Sequence, residues 1–345
     1  MAEPRLRHLL VTGGAGFIGS AFVRQRLGDD PDLRITVLDK LTYAGSEENL
    51  EHVRHDPRLR FVRGDIADAA AVDGLAKDVD AIVNFAAESH VDRSLLDAGA
   101  FVQTDVYGTY VLLEAARRFG HQRFLHVSTD EVYGHVRDGR SREGDPLTPR
   151  SPYSATKAGA EMLVHAYHVS FGVPTLVTRG SNTYGPYQFP EKIIPLFITN
   201  AIQELPLPIY GDGSAVRDYL YMDDHAAAIA TVLERGEPGA IYNMGAGSEI
   251  SGVQVADLIL QLCGRPSSLK HFVKDRPGHD YRYALDLRRI QGLGWRPKHT
   301  FRGGMEATVA WYQTHEEWWK RRKSAEFWKF YQANYRGLPA DAIPT

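Results

Sequence analysis

The sequence has 345 residues, of which 43% are hydrophobic and 24% are charged, so it is long enough for one large domain or two fused domains with a sizeable core. The formal net charge of −3 gives no reason to expect a nucleic-acid or membrane partner, and any anionic ligand must be held by local basic groups. The single cysteine, Cys263, excludes an internal disulfide and is typical of a reducing compartment.

The sequence also lacks the patterns of a metal site and of a membrane span. Its fourteen histidines are scattered without the spacing of zinc ligands. No run of apolar residues is long enough to cross a bilayer. The first predicted strand begins at about residue 8, which leaves no room for a signal peptide. We therefore expect a globular protein of the cytoplasm.

The first predicted elements are a strand at residues 8–12, a glycine-rich loop and a helix at about 20–27. The loop carries Gly13, Gly16 and Gly19. Glycine lets the backbone turn tightly, so that the loop amides and the helix N-terminus can face a pyrophosphate. This arrangement is typical of a dinucleotide-binding unit.

The second predicted strand, residues 35–39, ends in an acid. Asp39 follows Gly19 by twenty residues. A carboxylate at this place can hold the diol of an adenosine ribose and repel a 2′-phosphate. A glycine-rich loop alone is weak evidence, but the two strands, the helix and the acid together predict dinucleotide binding, with NAD favoured over NADP.

Strands and helices continue to alternate beyond this unit. The pattern predicts strands at about residues 60–64, 81–87 and 123–128 and a helix at about 106–119. Such alternation is typical of a parallel sheet wound on both faces, with ligands bound at the carboxyl edge of its strands. Candidate site residues should therefore directly follow the strands. They are Asp65, Glu88, Thr129, Asp130 and Glu131.

A further helix is predicted from Pro152 to about residue 171, since proline suits the first helical turn. Tyr153 and Lys157 are four residues apart and lie on one face of it. An ammonium close to a phenol favours the phenolate, so we expect a lowered pKa for Tyr153 that makes it a base near neutral pH. The alternative interpretation is a surface lysine beside a packed tyrosine.

The pattern loosens after residue 174. It predicts a strand at 175–178, helices at about 195–203 and 224–234, and a terminal helix at about 311–329. We expect a smaller, mixed α/β C-terminal region that covers the cofactor domain, with some of its segments returning to the main sheet.

Several motifs resemble a known family. The glycine loop together with the Tyr153/Lys157 pair resembles the extended short-chain dehydrogenase/reductase superfamily. The resemblance narrows to the dTDP-glucose 4,6-dehydratase family through AAESHVDRS (86–94), STDEVYG (128–134), NTYGPYQFPEK (182–192) and DRPGHD (275–280). It covers about residues 9–312. We expect an NAD-binding Rossmann domain at 1–180 and a nucleotide-sugar-binding region at 181–335. The proline-containing residues 336–345 are expected to form a poorly ordered tail.

The resemblance implies that NAD is used catalytically while a nucleotide-bound glucose loses water to give the 4-keto-6-deoxy sugar. Tyr153 and Lys157 would reach the nicotinamide ribose. The other implied cofactor-binding residues are Gly13, Gly16, Phe17, Ile18, Gly19, Asp39, Lys40, Leu41, Thr42, Asp65, Ile66, Ala86, Ala87, Glu88, Ser89, Thr104 and Thr183.

The resemblance also assigns the chemistry to the residues after the strand at 123–128. Thr129 would hold the 4-hydroxyl, Tyr153 would take its proton, and Asp130 and Glu131 would supply the acid and the base, since two close carboxyl groups can hold one proton between them. Basic side chains would bind the diphosphate. Without the motifs, the alternative interpretation of arginines such as Arg217 is a salt bridge on the surface. The other implied substrate-binding residues are Glu88, Asn182, Lys192, Ile193, Pro208, Ile209, Tyr210, Arg217, Asn243, Asp275, Arg276, Pro277, Gly278 and His279.

Two positions depart from the family's pattern. Asp105 stands where the family usually has Asn, and Thr183 stands where a second Asn is common. Asp105 is expected to perturb the hydrogen bonds that support Tyr153 and Lys157, and Thr183 to shift the contact with the nicotinamide. Both departures bear on the rate more than on the type of reaction.

Other functions stay open at this point. An epimerase or decarboxylase of nucleotide sugars shares the fold and the Tyr153/Lys157 pair, although a 4-epimerase has no need for Asp130 and Glu131. A non-catalytic NAD-binding protein is a remoter alternative, and the nucleotide base can be thymine or uracil. The superfamily's usual helix pairing implies a homodimer through helices 106–119 and 153–171, with apolar surface from Met162, Leu163, Ala166 and Tyr167.

Overall fold

The structure is a computed structural model and describes residues 5–275, 280–335 and 338. The strands are β1 (His8–Thr12), β2 (Arg34–Asp39), β3 (Leu59–Arg63), β4 (Ala81–Asn84), β5 (Arg123–Thr129), β6 (Thr175–Gly180), β7 (Asn182–Tyr184), β8 (Leu207–Tyr210), β9 (Val216–Arg217), β10 (Tyr219–Tyr221), β11 (Ile241–Met244), β12 (Ile250–Ser251) and β13 (Lys270–Val273).

The helices alternate with the strands in the first half of the chain and dominate its end. They are α1 (Phe17–Asp29), α2 (Ala69–Ala76), α3 (Val91–Ser94), α4 (Ala98–Phe101), α5 (Thr109–Phe119), α6 (Pro152–Phe171), α7 (Ile193–Ile202), α8 (Met222–Arg235), α9 (Gly252–Cys263), α10 (Arg288–Gly292), α11 (Phe301–Thr314), α12 (Glu316–Arg322) and α13 (Ala325–Asn334). A π-helical segment, Val102–Gly108, leads into α5, and short 3₁₀ helices cover Glu47–Val53, Asp130–Tyr133 and Ser267–Leu269.

Seven parallel strands form the central sheet in the order β11-β6-β5-β4-β1-β2-β3. The order reverses at β1, which pairs with β2 on one side and with β4 on the other. In such sheets the ligand lies at the carboxyl edge beside the reversal. The prediction of a doubly wound parallel Rossmann-type sheet is confirmed.

The side chains of β1 show how the two faces of the sheet are covered. Leu9 and Val11 belong to one buried cluster, which includes Phe22 of α1 and Ile229 of α8. Leu10 points to the opposite face and belongs to a second cluster with side chains of α2, α5 and α6. Helices therefore cover both faces, which explains the nearly continuous apolar strands. Among the described residues, no helix has the length and apolar character needed to cross a membrane.

The part of the chain after residue 180 is divided between the main sheet and a separate layer. Strand β11 pairs with β6 and extends the central sheet, and α8 packs against α1. The remaining strands form three pairs, β7 with β10, β9 with β12 and β8 with β13. The boundary at residue 180 stays a prediction, but the segment that contains α8 and β11 belongs physically to the main sheet.

Two predicted helices differ from the observed ones. The terminal helix expected at 311–329 is three helices, because the backbone leaves the helical region at His315 and because Ser324 caps the start of α13 through the Phe327 amide. The helix expected at 106–119 is π-helical up to Gly108. The predicted disordered tail lies outside the described residues, apart from Leu338, which packs against the core.

A buried ion pair fastens α6 to the sheet. The Arg179 guanidinium, at the end of β6, donates to Oε2 of Glu161 from two nitrogens, at 2.9 and 2.6 Å, and to Oε1 at 3.3 Å. Both side chains are almost fully buried. Arg179 also donates to the Tyr133 hydroxyl at 2.7 Å. The pair therefore joins the helix that carries Tyr153 and Lys157 to the segment that follows β5.

We expect Glu161→Ala to lower the free energy of unfolding by about 3–5 kcal/mol, because it leaves the Arg179 charge buried without its partner. Urea unfolding of the purified variant measures this loss. Glu306→Ala is the matched control, since it removes an exposed ion pair with Arg302 and should change stability little. Equal losses in the two variants would contradict a structural role for the buried pair.

Candidate active site

A cleft of about 300 Å³ follows the carboxyl edge of the central sheet and is lined by residues at the ends of β1 to β6. Its floor is the glycine loop, where Gly13 has φ +70° and a Cβ atom would lie 2.6 Å from the Ala86 amide nitrogen. A Cβ atom at Gly19 would collide with the Gly13 carbonyl. Phe17, Ile18 and Gly19, at the start of α1, line the cleft, so the positive end of the helix is available to a phosphate.

Asp39 is held in the cleft by backbone amides. Its carboxylate accepts hydrogen bonds from the Ala15 amide at 2.9 Å and the Leu41 amide at 2.8 Å, one on each oxygen. Burial raises the pKa of Asp39, and the two amides oppose this rise. Each oxygen keeps a further lone pair, which can accept a hydrogen bond from a hydroxyl of a ribose.

An ion pair borders the same part of the cleft. The Lys40 ammonium lies 2.7 Å from the Asp65 carboxylate, which also accepts a hydrogen bond from the Ala67 amide. Burial acts to raise the pKa of Asp65, but the hydrogen bonds from Lys40 and Ala67 outweigh it and lower the pKa. Asp65 is therefore anionic and neutralises the charge of Lys40. Lys40 would consequently attract the 2′-phosphate of NADP only weakly.

Lys157 and Tyr153 enter the cleft from the first turns of α6. The Lys157 ammonium donates to the Val127 carbonyl of β5 at 2.8 Å, and burial lowers the pKa of Lys157. The predicted lowering of the Tyr153 pKa is wrong. Burial raises the pKa of Tyr153 well above its usual value, and the negative charges of Glu131 and Asp105 raise it further.

Asp105 connects the segment after β4 to the start of α6. It is fully buried in the π-helical segment, accepts a hydrogen bond from the Glu88 amide at 2.9 Å and accepts another from the Thr156 hydroxyl at 2.8 Å. Burial raises the pKa of Asp105 to about 6, against the attraction of Lys157. Asp105 therefore connects the exit of β4 with the start of α6. The expectation that Asp105 perturbs the hydrogen bonds supporting Tyr153 and Lys157 stays a prediction.

Asp130 is a buried carboxyl group at the end of β5. Its Oδ1 atom accepts a hydrogen bond from the Thr129 hydroxyl at 3.3 Å, whereas its Oδ2 atom has no hydrogen-bond partner among the described residues. Burial raises the pKa of Asp130 well above its usual value, and the neighbouring Glu131 charge adds to the rise while Arg217 opposes it. Burial and the neighbouring Glu131 therefore favour the protonated form of Asp130.

A second cavity of about 170 Å³ adjoins the cleft. The two share Glu131, Asn182, Glu191 and Lys192, which therefore mark their junction. Beyond the junction, the cavity is lined by Arg217 and by apolar and aromatic side chains, among them Ile193, Phe197, Pro208, Ile209, Tyr210 and Tyr219. The cavity thus combines cations with an extended apolar wall, as a nucleotide requires.

The structure brings most of the predicted site residues together. All five predicted catalytic residues line the cleft, and so do all the predicted cofactor-binding residues except Leu41, whose amide instead holds Asp39. Of the predicted substrate-binding residues, Glu88 and Thr129 line the cleft, and Asn182, Lys192, Ile193, Pro208, Ile209, Tyr210 and Arg217 line the second cavity. Asp275 lies beside Gly211, outside the residues that line either space. Arg276, Pro277, Gly278 and His279 lie outside the described residues.

Asn243 lies beside the site rather than in its lining. Its side chain is fully buried on β11, accepts a hydrogen bond from the Tyr133 hydroxyl at 2.8 Å and donates to the Ser141 carbonyl at 3.0 Å. It is not among the residues that line the cleft or the second cavity, so its role in binding the substrate stays a prediction. Its partners show that it supports the segment after β5.

Arg217 is not the surface salt bridge of the alternative interpretation. Its guanidinium lies over the Tyr283 ring at 4.5 Å and donates to the carbonyls of Val216 at 2.8 Å and Asp280 at 2.7 Å. Only 8% of the residue is exposed. The positive charge is thus fixed in orientation at the wall of the second cavity.

His225 and Glu191 are among the lining residues that the sequence analysis did not predict. His225 of α8 lines the cleft with its Nδ1 atom 2.6 Å from the Thr183 hydroxyl, and burial lowers its pKa to about 4, so the ring is neutral. Glu191 lies at the junction and receives a bidentate hydrogen bond from Arg93. Glu191 belongs to the motif at residues 182–192, so the sequence could have indicated it. His225 has no local sequence signal, because only the fold brings α8 to the cleft.

A glycine cradle after β1, an acid at the end of β2 and a Tyr/Lys pair beside β5 define an enzyme of the extended short-chain dehydrogenase/reductase class. The family model described as GDP-mannose 4,6 dehydratase matches residues 10–308. The chain therefore belongs to the nucleotide-sugar 4,6-dehydratase family, and the resemblance found in the sequence is confirmed.

Individual relatives agree with this assignment. A dTDP-glucose 4,6-dehydratase from Streptomyces griseus is 52% identical over 316 residues, which cover 91% of this chain and 96% of the relative. The low-salt glycan biosynthesis protein Agl12 from Haloferax volcanii is 52% identical over 309 residues, 90% of this chain and 99% of the relative. A crystal structure of DesIV, a dTDP-glucose 4,6-dehydratase from Streptomyces venezuelae with NAD and TYD bound, is 50% identical with a TM-score of 0.90 and covers 92% of this chain and 100% of that one.

The raised pKa of Asp105 predicts a pH-dependent cost to stability. The folded protein keeps a proton on Asp105 up to about pH 6, whereas an ordinary carboxyl loses it near 3.8. The stability supplied by this proton is complete below about pH 4 and is lost as the pH rises through 6. Asn at this position has no proton to lose and keeps an acceptor for the Glu88 amide. From pH 4 to pH 8, Asp105→Asn should gain roughly 2–3 kcal/mol relative to the parent.

Urea unfolding of parent and variant at the two pH values measures this gain. Asp29→Asn, an exposed change at the end of α1, is the control and should show no such drift. A difference between parent and Asp105→Asn that stays the same at pH 4 and pH 8 would show that Asp105 titrates like an ordinary carboxyl group.

Proposed function

We propose that the protein is a hydro-lyase that converts dTDP-glucose to the dTDP-bound 4-keto-6-deoxy sugar, with NAD as a cofactor that ends each cycle unchanged. The observation that carries the proposal is the pair Asp130 and Glu131 in the cleft: Asp130 is buried and has a raised pKa, and Glu131 beside it also lines the second cavity. The Streptomyces relatives, which are dTDP-glucose 4,6-dehydratases, support the choice of substrate.

The cleft fits NAD. The start of α1 above the glycine cradle would hold the pyrophosphate, Asp39 the diol of the adenosine ribose, and Tyr153 with Lys157 the nicotinamide ribose. Bound there, NAD takes a hydride from C4 of the sugar and later returns it to C6.

Oxidation at C4 requires a base for the hydroxyl proton. Thr129 holds this hydroxyl, and Tyr153 takes its proton. Because burial and the nearby carboxylates raise the pKa of Tyr153, the phenolate needs a cation. Lys157, one helical turn further along α6, supplies that charge.

Loss of water then uses the two carboxyl groups. A ketone at C4 acidifies the C5 proton, and Glu131 removes it. Asp130 donates its proton to the C6 hydroxyl, which leaves as water, so one proton is taken and one is given. The raised pKa of Asp130 favours the protonated form that this step requires. A 4-epimerase eliminates no water and would not need this pair of carboxyl groups. The site therefore favours dehydration over epimerisation.

The second cavity takes the nucleotide diphosphate. Lys192 and Arg217 supply the positive charge for the diphosphate, and Ile193, Pro208 and Ile209 supply apolar wall for the nucleoside. We place this nucleotide-sugar-binding region within residues 181–335. We also propose that the protein works in the cytoplasm, where nucleotide sugars are made.

The roles of Asp130 and Glu131 can be separated in deuterated water. Asp130→Asn lacks the acid for the C6 hydroxyl, so dehydration should fall by about 10²- to 10⁴-fold while recovered dTDP-glucose gains deuterium at C5. Glu131→Gln lacks the base, so it should lose dehydration and C5 exchange together. Mass spectrometry and proton NMR measure both.

Substrate deuterated at C4 tests the rest of the cycle. The parent protein should give product with deuterium at C6, and Tyr153→Phe should slow the release of label from C4. The assignment of the carboxyl groups must be abandoned if Asp130→Asn and Glu131→Gln both dehydrate dTDP-glucose at the parent rate.

We propose a homodimer formed by the helices that flank the site. Met162 of α6 is 52% exposed, and Val102 and Tyr107 of the π-helical segment are also exposed. Ala166 adds to this apolar face, whereas Tyr167 does not, since it is buried with its hydroxyl on Glu114. Such a face is suited to a two-fold contact between two copies of the chain.

Met162→Asp should weaken the dimer, because a charge on the two-fold face would be buried twice. Light scattering at micromolar concentration should report a dimer for the parent and a monomer for the variant. Phe272→Asp is the control, since Phe272 is 53% exposed but lies on β13, away from this face. A monomeric parent protein would refute the proposal.

A further inference from the structure

The C-terminal helices lie beyond the part of the chain that the family model matches, yet they reach the second cavity. The match ends at residue 308, and α12 and α13 follow it. Tyr335, directly after α13, lines the second cavity together with Tyr210 and Phe197. One wall of the space that takes the nucleotide is therefore supplied from outside the matched region.

Tyr335 is held in this wall by other aromatic rings. Its ring centroid lies 5.3 Å from that of Tyr210, at an interplanar angle of 34°, and 4.9 Å from that of Tyr331. Tyr331 is buried, and its hydroxyl accepts a hydrogen bond from the Asn200 amide of α7 at 3.1 Å. The Tyr335 ring thus has a fixed support and presents a tilted aromatic surface beside Tyr210.

The middle of α13 is tied to the junction of the two spaces. The Arg93 guanidinium lies over the Phe330 ring at 4.9 Å and over the Tyr43 ring at 4.0 Å, and it donates to Glu191 through two nitrogens. Tyr43 lines the cleft, and Glu191 lines both spaces. The helix is therefore part of the same packed unit as the site rather than an appendage on the surface.

The lining of the second cavity suits a nucleoside at this wall. Glu131 and Lys192 line both spaces, and Arg217 adds a second positive charge of the kind that a diphosphate needs. The nucleoside of such a ligand carries a base with a flat π-face that stacks well on aromatic side chains. Tyr210 and Tyr335 are adjacent aromatic rings that line the second cavity and not the cleft.

We propose that Tyr335 is a substrate-binding residue that packs, together with Tyr210, against the nucleoside of the substrate, and that α13 closes the nucleoside end of the cavity. This inference rests on the proposed function, since it takes the substrate to be a nucleotide sugar. It assigns to the C-terminal helix a share of the binding free energy and not of the chemistry.

Calorimetric titration with thymidine diphosphate and with inorganic pyrophosphate tests the inference without any turnover. Tyr335→Leu keeps apolar volume but removes the ring, and it should weaken thymidine diphosphate roughly tenfold or more while leaving pyrophosphate unchanged. Tyr335→Phe keeps the ring and should bind within about threefold of the parent. Gln332→Ala, on the exposed side of α13, is the matched control and should bind both ligands as the parent does.

Two outcomes would overturn the inference: equal affinity of Tyr335→Leu and parent for thymidine diphosphate, or an equal loss of both ligands in Tyr335→Leu with an unchanged control. In steady-state assays, Tyr335→Leu should raise KM and leave kcat near the parent value. A parent protein that binds thymidine diphosphate but dehydrates no nucleotide-glucose would refute the proposed function. The calorimetric comparison of parent and Tyr335→Leu would then still decide the role of Tyr335. A parent that binds no thymidine diphosphate or uridine diphosphate would refute both.

Discussion

The concentration of acids around one buried ammonium governs the chemistry of this site. Asp105 and Glu161 both act on Lys157, while Asp130, Glu131 and Tyr153 crowd the adjoining part of the cleft. In a medium of low dielectric so many negative charges cannot coexist, so protons stay on the most deeply buried groups. Burial and this crowding raise the pKa of Asp130 and of Tyr153.

The fold serves this electrostatic arrangement by fixing distances along the main chain. The ends of β4, β5 and β6 and the first turns of α6 converge on the cleft, and buried contacts such as Arg179 with Glu161 hold α6 in place. Asp105 adds a contact between the exit of β4 and α6. Asp130, Glu131 and Tyr153 are thus held by buried contacts around the cleft, an arrangement that suits catalysis by several groups in one place.

The sequence predicted the sheet and the cleft because both follow from local patterns, namely strand periodicity, glycine spacing and the residues directly after the strands. It failed where long-range packing decides. No local pattern indicates, for example, that Asn243 bonds to Tyr133 and Ser141, about a hundred residues earlier in the chain. His225 and Tyr335 reach the site only through tertiary contacts, and the direction of the Tyr153 pKa shift depends on burial that no spacing reveals.

The hydrogen bond from Lys157 to the Val127 carbonyl has a consequence for how this protein can evolve. The acceptor belongs to the main chain, so any side chain that fills the place of Val127 in the core preserves the contact. The length of β5 is constrained, however, because one residue inserted into the strand would turn every later side chain to the opposite face. Substitutions in β5 can therefore accumulate during evolution, whereas insertions and deletions would disrupt the site.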